Sequence, residues 1–330
     1  MTDNNELRKI RRGLGEISQG FSIVNWKGNH AYIKHLSNLD NLEYESSYDR
    51  IVDELLEKGM PSEEEALKMA EDEGLWGPEE ETEVQKLEAQ IAHMEQSLKS
   101  DALISQIKVR KKSIRKSKEK LDSLLKSKAE GVPNCAEAIA NERVNQTYII
   151  ESFFADRTLS RSLLTNEDKE YLSDQDLGKL IDIYNQCIGP LSGGFIKQIA
   201  VSIIFQNLHK LSDNAYDFFG KPVSHLTFLQ AELYNYGQYY SRMLSSIEHQ
   251  PPSDILEDPE KLEEWYTSNT NVRKMMEKNT GKGEGGTISI HGATKEDMDA
   301  AGLGDEVLDM HKIISERGEL NIYEMAEIMG

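Results

Sequence analysis

The sequence predicts an all-α protein: a multi-helix bundle with a long coiled-coil-like helix or helical hairpin and a tethered C-terminal helical segment. Three observations lead there. Apolar residues recur at helical spacing along most of the 330 residues, Ser or Thr followed three residues later by Asp or Glu opens several of those stretches, and alternating runs that would mark strands are few. Length alone allows roughly two domains of about 150 residues each. A hydrophobic share of 38% against a charged share of 29% suits solvated helices around at least one sizeable core.

Charge falls in blocks that help to place the elements. Residues 1 to 39 carry six basic and three acidic side chains around Phe21, Ile23, Val24 and Trp26, which read as a short strand or docking segment within an N-terminal arm, 1–47. A short helical hairpin is expected over 48–76. Tyr48, Ile51, Val52, Leu55 and Leu56 share one helical face, Gly59 and Pro61 stop it, and Ser62 with Glu65 has the capping-box spacing before a helix closed by Gly74. Gly77-Pro78-Glu79-Glu80-Glu81 then starts the long charged helix, 77–131, with proline in the first turn and carboxylates on the positive end of the dipole.

Within that helix Val84, Leu87, Ile91, Met94 and Leu98 are spaced 3, 4, 3, 4, and after a slip in register Ile107, Ile114 and Leu121 repeat every seven residues. Residues 40 to 98 hold 19 acidic and 4 basic side chains, whereas 99 to 128 hold 11 basic and 3 acidic. Unbroken, 50 residues would make a rod of roughly 75 Å. Folded back near Ser100-Asp101, the acidic arm would lie along the basic one, as would two copies paired antiparallel. Either arrangement makes these eight residues candidate partner-binding positions.

An α-helical core domain is expected over 132–278. Asn134 with Glu137, Thr165 with Asp168 and Ser173 with Asp176 have cap spacing. Residues 193–211 form the most amphipathic stretch and are expected to be the most buried helix. Tyr234, Tyr236, Tyr239 and Tyr240 are too close together to face one core, which adds Tyr236 and Tyr240 as candidate interface residues. Asp258-Pro259 starts a further helix. A Gly-rich linker, 279–292, and a C-terminal helical segment, 293–330, complete the chain.

No catalytic motif emerges, so no catalytic, cofactor-binding or metal-ligating residue is assigned. Gly281-Lys282-Gly283-Glu284-Gly285-Gly286-Thr287 does not satisfy the P-loop spacing, and no apolar strand precedes it. His30 and His35 lack an HExxH arrangement. Asp213, Asn214 and Asp217 read as a helix cap, since Phe218 stands where a calcium loop needs glycine. Cys135 and Cys187 form no CxxC pair, and nothing approaches a membrane span or a signal peptide, so the chain is expected to be soluble and intracellular. Net charge of −20 opposes nucleic-acid binding, the alternative function, which would use the basic run Lys108, Arg110, Lys111, Lys112, Arg115, Lys116, Lys118 and Lys120.

The stretch Glu54 to Trp76, from Glu-Leu-Leu-Glu-Lys-Gly-Met-Pro-Ser-Glu-Glu-Glu-Ala-Leu to Glu-Gly-Leu-Trp, followed by the acidic-to-basic helix, resembles assembly proteins of large contractile-tailed bacteriophages. Tail assembly chaperones and baseplate hub components are of this kind. His291-Gly292-Ala293-Thr294-Lys295-Glu296-Asp297 to Gly302-Leu303 is similar to the ending of such proteins. The resemblance covers about a third of the chain and implies a non-enzymatic chaperone or scaffold. Its implied partners are tail or baseplate proteins, the tape-measure protein or a second copy, with no membrane. Its implied location is the host cytoplasm during assembly, or the tail or baseplate of the virion.

Overall fold

The structure, a computed structural model, describes residues 4–245, 250–280 and Asp297. Among the described residues it is predominantly α-helical, with thirteen α-helices and one small three-stranded sheet. The chain divides into two compact units, Met1–Pro78 with Lys128–Pro259, and Glu79–Ser127 with Glu260–Gly330. The N-terminal arm, the 48–76 hairpin and most of the 132–278 core therefore regroup into one body.

The first unit opens with α1 (Asn4–Gln19), whose Ile10, Leu14 and Ile17 are buried one turn apart. Gly20, at φ +79°, ends it. A hairpin follows of β1 (Phe21–Trp26) and β2 (Asn29–Lys34), paired antiparallel from Phe21 opposite Lys34 to Trp26 opposite Asn29. Its turn puts Lys27 and Gly28 at positive φ, the backbone that matches the strands' twist in a two-residue connection. Thus the expected short strand exists, but as half of a hairpin built into the core rather than as part of an arm.

Next come α2 (Asn38–Glu57) and α3 (Glu63–Asp72), each opened by a complete capping box, Ser37 with Asp40 and Ser62 with Glu65. α6 (Ala136–Ser152) packs along α2, burying Leu55, Ala136 and Ala140. Its cap differs from expectation. Cys135 takes the N-cap position, its Sγ accepting from Ala138 N at 3.4 Å, so the cap stands one residue after the expected Asn134. Glu137 is then free to accept from Glu63 N at 2.8 Å, capping α3 instead of its own helix.

β3 (Phe153–Phe154) adds to β2, and α7 (Asn166–Glu170) and α8 (Asp174–Ile188) follow, opened by Thr165 and Ser173 as their spacing predicts. Ala31, Ile33, Ile149, Phe153, Leu164 and Leu180 close this side of the core with Trp26. The 193–211 stretch is two helices, α9 (Gly193–Val201) and α10 (Ile203–His209). Ser202 breaks it: its backbone is extended, at ψ 142°, and its Oγ donates to Ile199 O at 2.6 Å while accepting from Phe205 N. An unbroken apolar pattern hides that interruption. α11 (Ala215–Phe219) and α12 (Phe228–Leu244) complete the unit, α12 lying along α9.

Two helix crossings depend on glycine. A Cβ on Gly13 would stand 2.5 Å from Phe195 Cε1, and one on Gly237 would stand 2.6 Å from Phe205 Cε1. Gln230, fully buried, donates to Ile17 O and Ser18 O at 3.0 Å each, satisfying carbonyls that α1 leaves open at its end.

The second unit holds α4 (Pro78–Leu98), α5 (Ile104–Gly131) and α13 (Pro259–Thr280), apart from their ends at residue 78, after Ser127 and at residue 259. The long charged stretch is not one continuous helix. It leaves helical geometry at 99–103 and returns, making a hairpin in which Glu83 pairs with Lys120 and Glu95 with Lys118. The turn rests on α13. Ser268 Oγ donates to Ala102 O, and Asn271 Nδ2 donates to Asp101 O at 2.8 Å and Lys99 O at 3.0 Å. Residues 279 and 280 of the expected Gly-rich linker still belong to α13, and the rest of the linker and the 293–330 segment lie outside the described residues except for Asp297.

Candidate interaction surfaces

Each sequence-derived candidate now has a place. Val84, Leu87, Ile91, Ile107 and Ile114 are buried within the second unit, and Met94, Leu98 and Leu121 are half-buried. The seam is thereby satisfied inside one chain. Burying such aliphatic side chains stabilises by about 1.5–3 kcal/mol each, so their burial removes the apolar surface that a straight rod would have offered. Tyr240 is fully buried, and Tyr236 stacks on it at 6.2 Å with Lys197 Nζ 5.3 Å from its ring, so this pair also belongs to the protein's own packing.

The basic run is partly engaged. Arg110 grips Asp101 through two hydrogen bonds, Lys111 reaches Glu264 at 3.0 Å, and Lys118 and Lys120 take the α4 carboxylates. The buried ends of two pairs, Asp101 and Glu264, need those cations to offset their desolvation. Asp297 is also buried, and its carboxylate accepts from Ser105 N and Ser105 Oγ at 2.9 Å each, capping the first turn of α5 from 192 positions away.

One cluster in the first unit contains the residue types of nucleophilic catalysis. Ser22 Oγ donates to Glu16 Oε2 at 2.9 Å and lies 2.9 Å from His35 Nε2. With its one proton on Glu16, the hydroxyl accepts from the imidazole, which leaves His35 Nδ1 buried and without a partner. Burial, reinforced by the charge of Lys221, pushes the His35 pKa down to about 4. The carboxylate thus holds the serine rather than orienting the histidine, and Ser22 is fully buried, so the cluster fastens α1 to the hairpin and is no relay to a substrate. Cys187 lies close by, its thiol pushed up by burial. His30 is exposed, and among the described residues no group of three or more His, Cys, Asp or Glu could hold a metal ion. Asp213 is exposed, and Asn214 and Asp217 form a helix cap, Asp217 N donating to Asn214 Oδ1 at 3.0 Å.

A surface that the sequence reading missed lies where α2, the 223–225 turn and α12 begin. Their backbones are stitched together: Asn38 N donates to Leu226 O, Phe228 N to Leu36 O, and Asn38 Nδ2 to Val223 O. Around this junction Leu39, Leu42, Val223 and Phe228 stay exposed by 40%, 61%, 67% and 44%. Leu39 and Leu42 are one turn apart on α2. The capping boxes at Ser37 and Thr227 were the available signal, since they place Leu39 and Phe228 in first turns, but exposure is a tertiary property that local spacing does not carry. Comparison with known proteins finds no family model that matches the chain, no curated protein with significant similarity and no solved structure with a significantly similar fold.

Proposed function

We propose that the protein is a non-enzymatic assembly factor of large contractile-tailed bacteriophages, a chaperone or scaffold that binds other tail or baseplate polypeptides. The observation that carries this reading is the apolar patch of Leu39, Leu42, Val223 and Phe228. Large apolar side chains gathered at one exposed junction suit a surface that another polypeptide covers, whereas scattered ones need no explanation. The patch replaces the α4–α5 seam as the client-binding surface, because the seam is occupied within the chain. A client segment with apolar side chains would exchange water for the patch, and the hydrogen-bonded backbone beneath would hold the four side chains in place without reorganising.

The full-length protein, tagged and captured from infected cells, is expected to bring down tail or baseplate proteins identifiable by mass spectrometry. Leu42→Ser with Val223→Ser should lose them while leaving the circular dichroism unchanged, since both side chains are already solvent-exposed. Capture without tail or baseplate proteins, or undiminished capture by the double variant, would overturn the reading.

A further inference from the structure

We infer that copies of the chain associate with one another through two charged helix faces, the basic outer face of α5 on one copy and the acidic outer face of α2 on the next. The inference is independent of which client the protein binds. It starts from the cations of α5 that the fold does not use. Arg110, Lys111, Lys118 and Lys120 each meet a carboxylate within the second unit. Lys112, Arg115 and Lys116 are exposed on the remaining side of the helix and enter no ion pair among the described residues. Val109, one turn before them in sequence, is 67% exposed.

α2 carries the opposite row. Asp49, Asp53 and Glu57 follow one another at i, i+4 and i+8, all exposed, and none of them forms an ion pair among the described residues. At 1.5 Å per residue the steps are about 6 Å, the same as from Lys112 to Lys116, with Arg115 beside them. Like charges one turn apart weaken their own helix by about 0.2–0.5 kcal/mol per pair, a cost that an opposite row on another copy would offset. Laid together, the rows place each carboxylate opposite an ammonium or guanidinium group. A nucleic acid is the poorer occupant: the chain has a net charge of −20, and no aromatic side chain interrupts Lys108 to Lys120 for stacking on bases.

The two rows are different surfaces, so the contact is heterologous and adds copies in succession instead of closing as a two-fold dimer. Exposed pairs contribute little singly, which makes the association weak and dependent on salt. The test is sedimentation velocity on the full chain over a range of concentrations. In about 20 mM salt the weight-average mass should climb with concentration, and in about 0.5 M salt, where screening acts within about 4 Å, it should return to that of the monomer.

Reversing the basic row (Lys112→Glu, Arg115→Glu, Lys116→Glu) or the acidic row (Asp49→Lys, Asp53→Lys, Glu57→Lys) should abolish the rise. Mixing the two variants should restore it, since one then offers only acidic faces and the other only basic ones. A monomer at every concentration in low salt overturns the inference, as does association that survives either reversal or a mixture that stays monomeric. So does a mobility shift of duplex DNA at the same salt that the basic-row reversal removes, because the face then serves nucleic acid.

Discussion

At the α10–α12 crossing of the first unit the side chains that hold the helices together are apolar or neutral: Phe205, Leu233 and Tyr240 are fully buried and Gly237 lets the Phe205 ring approach. In the second unit an apolar seam of comparable chemistry is flanked by ion pairs from α4 to α5 and from α5 to α13. The difference lies in what specifies each arrangement. Ring shapes and missing Cβ atoms define the first crossing, so only one geometry fits. A seam repeating every seven residues fits several registers and partners, and the segregation of acid on α4 from base on α5 is what favours the antiparallel return within one chain.

Removing packing from the first unit should have the largest effect. Phe205→Ala deletes a fully buried ring that touches His209 and Phe218, and is expected to cost about 3–5 kcal/mol in urea unfolding monitored by near-ultraviolet circular dichroism. A loss below about 1 kcal/mol would mean that this crossing repacks freely, and the contrast between the units would disappear.

A buried, neutral imidazole makes the first unit acid-sensitive. His35 is neutral in the fold because burial and Lys221 hold its pKa near 4, against the ordinary value of 6.5 in the unfolded chain. A folded-state pKa below the unfolded one means that stability is complete above about pH 6.5 and is lost as pH falls towards 4, by at most about 3 kcal/mol for this group. Glu16 on α1 reaches it through Ser22 and Lys221 adds its charge, so the contribution is read as a difference. Unfolding of His35→Gln, compared with the parent at pH 7 and pH 4.5, should show a shallower decline. Parallel declines would remove His35 from the cause.

The caps of α2, α3, α7 and α8 lie within three or four residues of the positions they satisfy, so they are legible wherever the spacing is read. Those at Ser62, Thr165 and Ser173 stand where their spacing places them. What depends on distant residues is not legible. α1 contains Gly13 and Gly15, which lower its local helix preference, and it becomes necessary only once Phe195 and Ile199 need the space at Gly13. The β1–β2 hairpin is completed by Phe153 and Phe154, more than a hundred residues away. The seam at Val84 to Leu98 was visible as a pattern, but spacing alone does not distinguish a partner in the same chain from a partner in another.

The smallest expected effect concerns the ion pairs that flank that seam. Lys120 meets Glu83 and Lys118 meets Glu95, with side chains 45–58% exposed, so water competes for every charge and each pair is worth about 0–1 kcal/mol. Lys120→Glu should therefore cost less than about 1 kcal/mol, mainly from new repulsion with Glu83, and the swap Glu83→Lys with Lys120→Glu should recover most of it. Urea is the appropriate denaturant, since guanidinium chloride would itself screen the charges. Adding about 0.5 M sodium chloride should erase the difference between the single variant and the swap while leaving the seam folded. A cost of several kcal/mol that the swap does not repair would show that Lys120 acts through its aliphatic stem packed on the seam; charge would then contribute little to holding the two arms in register.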